Sequence, residues 1–174
     1  MRKLLIVIDM QNDFIDGVLG TKEARGIVPA VKAKIESYPI EDVFYTVDTH
    51  GADYLKTQEG RNLPVEHCIK GTKGWKIATE LEELLAGAKR HEKPTFGSVS
   101  LSDDISRIAE GEDISIEMVG LCTDICVVSN ALLLKAVVPE VEISVDAKCC
   151  AGVTPESHEA ALATMRACQI RILE

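Results

Sequence analysis

Cys126 lies where a thiol can become reactive, in a segment that predicts a buried strand leading into the first turn of a helix. The segment runs from Gly120 to Val127 and reads GLCTDICV. Unpaired N–H groups and the positive end of the helix dipole favour a thiolate, so we expect the pKa of Cys126 to lie below its usual value of about 8.5. Such a thiolate would be a nucleophile. The alternative is a small core residue in an apolar helix.

Asp9 and Lys93 could supply the carboxylate and the cation that such a nucleophile needs. Asp9 follows the apolar run LLIVI, which predicts a partly desolvated, proton-accepting carboxylate at a strand end. Lys93 ends the segment RHEK and could stabilise negative charge on Asp9 and on the thiolate. The alternatives are a capping carboxylate for Asp9 and a solvated surface group for Lys93. Asp13 is a rival carboxylate, but its position favours backbone capping.

The backbone of the same turn could stabilise an oxyanion. Paired N–H donors at a helix N-terminus form an oxyanion hole, and losing one donor costs about 3 kcal/mol of transition-state stabilisation. The N–H group of Cys122, rather than its sulfur, is the useful one in this interpretation. The nucleophile Cys126 and the oxyanion hole would then share one turn.

A second group of residues has the spacing of a metal site. Asp48 and His50 are two positions apart at a predicted strand end, so their side chains project to the same side. A long loop returns with His67, which completes an oxygen and two nitrogen ligands suited to Zn²⁺, Mn²⁺ or Fe²⁺, with open positions for water or substrate. Cys68 could make this a cysteine-containing zinc site, although we favour a packing role for it.

Short apolar runs alternate with stretches of helical periodicity, which is typical of βαβ units whose strands are covered on both faces. This pattern predicts a three-layer α/β/α sandwich around a six-stranded, mostly parallel Rossmann-like sheet, in one domain spanning residues 1–174. The predicted strands are Lys3–Ile8, Val43–Val47, Lys89–Glu92, Ser115–Gly120, Val141–Val145 and Gln169–Leu173. The predicted helices are Val28–Ser37, Ile77–Leu85, Asp103–Ala109 after an N-cap at Ser102, Asp124–Val137, and Pro155–Cys168 after an N-cap at Thr154.

The predicted topology places the candidate residues at one edge of the sheet. In an open parallel sheet, ligands bind beyond the carboxyl ends of the strands, near the point where strand order reverses. Asp9, Asp48, Lys93 and the turn of Cys126 all follow predicted strands. The longest connection, at about residues 50–72, also begins there, and long connections without secondary structure are usually functional.

Length and charge limit the class of partner. A chain of 174 residues suits one domain with a sizeable core. Its net charge of −9 argues against nucleic acid or a membrane surface, since binding to either needs clustered Lys and Arg, and favours a small-molecule substrate. The N-terminal apolar run is too short for a signal peptide or a spanning helix, so we expect a cytoplasmic protein whose six cysteines are reduced. The apolar run at residues 131–138 is compatible with a homo-oligomer.

Five ordered segments of the chain resemble the isochorismatase-like cysteine hydrolase superfamily, and within it the nicotinamidase branch. Residues 8–14 (IDMQNDF) resemble its DxQxDF motif, and residues 48–50 match its DTH motif. Residues 67–74 (HCIKGTKG) resemble the HCVxGTxG segment, residues 93–98 (KPTFGS) the KxxYSAF segment, and residues 120–127 the GxxTDxCV nucleophile turn. Five motifs in one order, over nearly the whole chain, are far more specific than any single motif.

The resemblance implies the isochorismatase-like hydrolase fold and a role for each catalytic residue. Asp9 takes the thiol proton of Cys126, whose thiolate attacks an amide carbonyl, and the N–H groups of Cys122 and Cys126 hold the oxyanion. A cis peptide bond between Leu121 and Cys122 orients these donors. Ammonia leaves and water hydrolyses the thioester, while Lys93 positions Asp9 and stabilises charge.

The resemblance also implies a metal and a substrate subsite. The ligands would be Asp48, His50 and His67. They would hold a divalent cation that positions a pyridine nitrogen, with Zn²⁺ as the first choice and Mn²⁺ or Fe²⁺ as alternatives. Phe14 and Phe96 would flank a ring. Gln11, in the opening motif, is a further candidate for substrate binding.

Two departures from the nicotinamidase pattern concern the substrate. The aromatic residue of the WPxH pattern is missing, because this chain reads LPVEH at residues 63–67, and Val99 replaces a second aromatic residue. The leading hypothesis is a nicotinamidase-like cysteine amidohydrolase that converts nicotinamide, or a similar small carboxamide, to its acid and ammonia. The alternatives are an isochorismatase-like or carbamoyl or ureido hydrolase of the same superfamily, and a non-catalytic binding module.

Overall fold

Six parallel strands form one sheet in the computed structural model, which describes all 174 residues. The strand order is β3-β2-β1-β4-β5-β6, and every neighbouring pair is parallel. The strands are β1 (Arg2–Ile8), β2 (Val43–Asp48), β3 (Lys89–Lys93), β4 (Ile114–Leu121), β5 (Glu142–Ala151) and β6 (Arg171–Leu173). The chain builds outward from β1 to β3 and then returns with β4 on the other side of β1. Strand order therefore reverses between β1 and β4.

Helices cover both faces of this sheet and complete the predicted three-layer α/β/α sandwich. The helices are α1 (Asn12–Ile15), α2 (Lys22–Glu36), α3 (Gln58–Asn62), α4 (Thr79–Glu82), α5 (Val99–Gly111), α6 (Val128–Val137) and α7 (Pro155–Ala167). Helices α5, α6 and α7 share one apolar core with the sheet, and α1, α2 and α4 share the other. None of the helices is long and apolar enough to cross a membrane.

The alternation of side chains along β1 explains why this strand reads as a continuous apolar run. Leu4, Ile6 and Ile8 enter the core beneath α5, α6 and α7, whereas Leu5 and Val7 enter the opposite core. Successive side chains of a strand point to opposite faces, so a strand covered on both faces needs apolar residues at every position. The polar residue after this run therefore marks the end of the strand.

The N-caps were predicted correctly for one helix and wrongly for another. Helix α7 begins at Pro155, and the Thr154 hydroxyl accepts the N–H of Ser157 in a capping box. Helix α5 begins at Val99, four residues before the predicted start, and its N-cap is Ser98. Ser102 instead donates its hydroxyl to the carbonyl of Val99. Serine is a favoured N-cap at either position, and only the path of the chain after β3 distinguishes them.

Other boundaries differ from the predictions where local polarity was misleading. The predicted helix at residues 77–85 shrinks to the single turn α4, and the predicted helix at residues 124–137 begins as a π-helical turn, Thr123–Val127, that leads into α6. Strand β5 continues six residues past its predicted end. The prediction ended too early because Asp146 and Lys148 interrupt an otherwise apolar sequence. The connection at residues 50–72 contains a 3₁₀ turn, Tyr54–Lys56, and α3.

Candidate active site and metal centre

Asp9, Lys93 and Cys126 meet in a buried cluster at the carboxyl edge of the sheet. The Lys93 Nζ lies 2.6 Å from Asp9 Oδ2 and 3.4 Å from Cys126 Sγ. It also donates to the Thr95 carbonyl at 3.0 Å. The three side chains are all at most 5% exposed. The ammonium of Lys93 thus contacts both a carboxylate and a thiol, and the three groups come from distant parts of the chain, as the sequence predicted.

A close approach between β1 and β4 brings the carboxylate next to the nucleophile turn. Ile8 and Gly120 are register partners, and the next residues along the two strands are Asp9 and Leu121. Gly120 has a φ of +120°, and a Cβ at this position would lie 2.1 Å from the Ile8 carbonyl oxygen. Only glycine fits this conformation and this spacing.

The two oxygens of Asp9 have different surroundings. Oδ1 accepts a hydrogen bond of 2.6 Å from the Thr46 hydroxyl. Oδ2 faces Lys93 as an ion pair but accepts no aligned hydrogen bond. Complete burial raises the pKa of Asp9, although Lys93 opposes this effect. Oδ2 is therefore a buried oxygen with enhanced affinity for a proton, on the side of the carboxylate that faces Lys93.

The pKa of Cys126 is raised, so the sequence-based expectation of a lowered value is wrong. Burial is the largest cause, and the charge of Asp9 adds to it. Burial alone would lower the pKa of Lys93, but the charges of Asp9, Cys126 and Asp48 outweigh it and raise that pKa. Lys93 therefore remains an ammonium and compensates one negative charge. The remaining two groups, Asp9 and Cys126, both have raised pKa values, so each favours its protonated form.

Hydrogen bonds within the motif and one from α7 hold the turn between β4 and α6. The Leu121–Cys122 peptide bond is cis, as the resemblance implied. The N–H groups of Ile125 and Val127 both donate to the Cys122 carbonyl, at 3.1 and 3.0 Å. The hydroxyl of Thr123 lies 2.8 Å from His158 Nδ1 on α7. These contacts fix the path of the backbone that carries the N–H groups of Cys122 and Cys126.

Asn130, which the sequence analysis missed, joins the nucleophile turn to the segment after Lys93. Its side-chain nitrogen donates to the carbonyls of Cys126 at 2.8 Å and Phe96 at 3.0 Å. Its side-chain oxygen accepts the N–H of Ser98 at 2.9 Å. A buried asparagine one turn after the nucleophile was the available signal, since buried amides require partners.

Asp48, His50 and His67 converge as the sequence predicted. Their potential ligand atoms all lie within 4.8 Å of one another. The Nε2 atoms of His50 and His67 lie 3.0 and 3.5 Å from Asp48 Oδ2. His67 Nδ1 lies 2.8 Å from the carbonyl oxygen of Val65, which can only accept a hydrogen bond. The proton of the neutral ring is therefore on Nδ1, and the lone pair of Nε2 can bind a metal. This oriented set of one oxygen and two nitrogens fits a divalent transition metal.

Glu59 is a fourth potential ligand that the sequence analysis did not identify. Its Oε1 lies 3.6 Å from His50 Nε2 and 3.8 Å from His67 Nε2. Helix α3 presents it, and the Thr57 hydroxyl caps this helix by accepting the N–H of Gly60. Burial raises the pKa of Glu59. The only sequence signal for Glu59 was Thr57 as a possible N-cap, which would have predicted a short helix within a segment that we predicted to be a loop.

Gln11 and Asp13 support the site from behind and do not line it. The side-chain amide of Gln11 donates to the Asp48 carbonyl at 2.8 Å and accepts its N–H at 2.7 Å. Gln11 is fully buried, so it holds the backbone of a metal-site residue, and the geometry does not support the predicted contact with substrate. Asp13 Oδ2 accepts the N–H of Cys68, which confirms its capping role. Cys68 is fully buried and lies outside the metal group, in agreement with packing.

One cavity extends from the thiol to the metal site. Cys126 and Cys122 line it together with Asp48, Glu59 and His67. The remaining lining is apolar and comprises Phe14, Leu19, Leu63, Phe96 and Ile125. No Lys or Arg side chain lines the cavity. It therefore suits a small, uncharged, partly apolar molecule, and the predicted Phe14 and Phe96 are both part of its wall.

Comparisons with solved structures agree with this architecture. The nicotinamidase/pyrazinamidase PncA from Bacillus subtilis has a TM-score of 0.82 and 28% sequence identity, covering 100% of both chains. The pyrazinamidase/nicotinamidase from Streptococcus mutans UA159 has a TM-score of 0.81 and 26% identity, covering 98% of this chain and 99% of its own. The pyrazinamidase of Pyrococcus horikoshii, solved in complex with zinc, has a TM-score of 0.79 over 100% of this chain and 99% of its own. At 24% identity, that last likeness concerns the fold.

Sequence comparisons assign the family. The uncharacterized isochorismatase family protein PncA of Bacillus subtilis (strain 168) is 29% identical over 143 residues, which are 76% of this chain and 78% of that protein. The family model for the isochorismatase domain matches residues 3–174. Because this match spans nearly the whole sequence, the chain belongs to the isochorismatase family.

Proposed function

We propose that this protein is a cysteine amidohydrolase that converts nicotinamide, or a closely similar small carboxamide, to the carboxylate and ammonia. The observation that carries the proposal is the buried contact of Lys93 with both Asp9 and Cys126, at 2.6 and 3.4 Å. Burial of three ionisable groups costs free energy, and such clusters occur mainly at functional sites. The likeness to nicotinamidases at 26% and 28% identity supports the same reaction.

The proposed reaction begins with transfer of the Cys126 proton to Asp9 Oδ2. The thiolate attacks the amide carbonyl carbon, and the N–H groups of Cys122 and Cys126 stabilise the oxyanion. Asp9 returns the proton to the leaving nitrogen, so ammonia departs and a thioester remains. Water then attacks the thioester while Asp9 accepts its proton and passes it to the departing sulfur. Lys93 stays protonated throughout and compensates the single negative charge.

Asp48, His50 and His67, with Glu59 beside them, would hold a divalent cation, and zinc is our first choice. When bound, the cation supplies a Lewis acid that can hold a ring nitrogen of the substrate. The apolar side chains Phe14 and Leu63 line the same cavity and would pack against the ring. The metal site would therefore select and orient the substrate.

A carbamoyl or ureido compound is the second candidate substrate. Part of the cavity wall is aliphatic and comprises Leu19, Leu63 and Ile125. This part favours a carbamoyl or ureido compound, because such a compound has no ring that needs an aromatic side chain to stack on it. Carboxylate-bearing members of this class, and isochorismate itself, fit poorly, because no cationic side chain lines the cavity and two carboxylates do. An uncharged ring with a carboxamide suits the lining better.

The decisive experiment is ammonia release from a panel of compounds by metal-loaded and chelated protein. We expect hydrolysis of nicotinamide and pyrazinamide, slower hydrolysis of benzamide, which has no ring nitrogen, and none of carbamoyl amino acids. Cys126→Ala should abolish the activity, and Cys168→Ala, at an exposed cysteine, is the matched control. Release of ammonia from none of the carboxamides by the wild-type protein would reject the proposal. Hydrolysis of only the carbamoyl compounds would establish the second candidate instead.

The unused-thiol alternative is tested with a mild alkylating agent near pH 7. Cys126 should react faster than Cys168 once Asp9 assists its deprotonation, although Cys126 is the less exposed of the two. A rate at Cys126 no greater than at Cys168 counts against catalysis and for a binding module. The cytoplasmic location, the single-domain organisation and a homo-oligomeric state stay predictions.

A further inference from the structure

Thr46 makes two hydrogen bonds to one residue of the candidate triad. It lies on β2 and is fully buried. Its hydroxyl oxygen is 3.2 Å from the backbone nitrogen of Asp9 and 2.6 Å from Asp9 Oδ1. No other side chain contacts both the backbone and the carboxylate of Asp9 in this way.

The chemistry of the groups determines the direction of both hydrogen bonds. The Asp9 N–H can only donate, so it occupies a lone pair of the Thr46 hydroxyl. The single hydroxyl proton is then directed to Oδ1, the acceptor at 2.6 Å. This distance is typical of a hydroxyl donating to a carboxylate. The hydroxyl therefore clamps Asp9 at two points without any choice of orientation.

The clamp separates the roles of the two carboxylate oxygens. With Oδ1 held by Thr46, Oδ2 faces Lys93 and carries no aligned hydrogen bond. Asp9 also has a φ of +46°, a conformation that residues other than glycine seldom adopt, and its N–H is held by the same hydroxyl. A carboxylate without this clamp could rotate and exchange its oxygens.

We propose that Thr46 is a positioning residue that keeps the Asp9 Oδ2 atom directed at Cys126 for proton transfer. The proposal rests on the proposed function, because it needs Asp9 to exchange a proton with the thiol. Thr46 acts through Asp9 and has no contact with the substrate cavity. Its contribution should therefore appear in kcat and leave KM unchanged.

The test compares Thr46→Val, which keeps the shape and removes the hydroxyl, with Thr46→Ser, which keeps the hydroxyl. Loss of a hydrogen bond to a charged group should lower kcat of Thr46→Val by about 10- to 100-fold, with KM within about threefold of the wild type. Thr46→Ser should restore kcat to within about threefold. Ser144→Ala is the control, since it removes another buried strand hydroxyl, bonded to Ile116 and distant from the site, and should leave kcat unchanged.

Alkylation of Cys126 gives a second readout that needs no substrate. Thr46→Val should slow alkylation at Cys126 but not at Cys168 in the same sample. A folded Thr46→Val protein with wild-type kcat, or a Thr46→Ser protein as impaired as Thr46→Val, would overturn the proposal. If Thr46→Val does not fold, Thr46→Cys replaces it, because a thiol is a weak donor and should show the same loss. Failure of the wild type on every carboxamide would instead reject the proposed function.

Discussion

Gly120→Ala tests whether the close approach of β1 and β4 assembles the candidate site. An alanine Cβ would lie 2.1, 2.7 and 2.9 Å from the O, N and C atoms of Ile8. All three are backbone atoms of a central strand, so no side-chain rotation relieves the overlap. Gly120 also has a φ of +120°, which an alanine adopts only with strain.

The expected loss of stability has two parts. The positive φ alone costs about 1–3 kcal/mol. Relief of the overlap requires β1 and β4 to separate by about 1 Å locally, which breaks the aligned hydrogen bonds between them. Together these effects should lower the free energy of unfolding by at least about 3 kcal/mol and the melting temperature by at least about 6 °C.

Two glycine controls separate these parts in thermal and urea denaturation. Gly71→Ala introduces a side chain at a φ of +88° in open space, so it reports the backbone cost alone. Gly26→Ala lies within α2 with nothing within 4 Å and should stabilise the protein by about 0.5–1 kcal/mol. Gly120→Ala should also lose amide hydrolysis, since it displaces Asp9 from Cys126.

A loss of stability in Gly120→Ala no larger than in Gly71→Ala would refute the predicted effect of the overlap. The overlap with Ile8 would then be absorbed by movements that cost nothing, and the spacing of the two strands would not be critical. Full amide hydrolysis by Gly120→Ala would refute the link between this spacing and the site. A loss of activity in Gly71→Ala as large as in Gly120→Ala would have the same meaning.

Three further predictions follow from other contacts. Asp146 pairs with Lys34 at 2.8 Å. Burial would raise the pKa of Asp146, but the pairing with Lys34 outweighs burial and lowers that pKa. The pair therefore stabilises the folded protein above the unfolded pKa of about 3.9, and this stabilisation is lost as pH falls below that value. Asp146→Asn should therefore cost about 1–2 kcal/mol at pH 7 in urea denaturation, and this difference should shrink below about pH 4. Asp48→Asn should abolish metal retention in elemental analysis, and chelation should lower the melting temperature of the wild type by about 5 °C or more but leave that of Asp48→Asn unchanged. Asn130→Ala removes three hydrogen bonds to backbone groups, two of them buried, so it should cost about 2–3 kcal/mol and reduce kcat. Unchanged thermal stability would contradict this assignment.

Several features of the fold and the site were readable from the sequence because they are local. Strands covered on both faces must be apolar at every covered position, so β1 contains the uninterrupted run LLIVI, and Asp9, the polar residue that ends it, is conspicuous. Parallel strands in such a sheet share one carboxyl edge. That rule alone brought Asp9, Asp48 and Lys93 to the same edge.

Features that depend on contacts between distant residues could not be read in this way. Gln11 seemed suited to substrate from its motif, yet its amide is used by the backbone of Asp48, 37 residues away. Glu59 became a candidate ligand only because α3 folds over the two histidines. The role inferred for Thr46 exists only because β2 lies beside β1.

By itself, the sequence determined which residues can do chemistry and that they collect at one edge of a parallel sheet, since residue type and strand periodicity are local properties. The tertiary structure decided the electrostatics. A helix terminus favours a thiolate, but burial beside Asp9 raises the pKa of Cys126. Burial and distance arise only when remote segments pack, so the balance between an ammonium, a carboxylate and a thiol is a property of the fold.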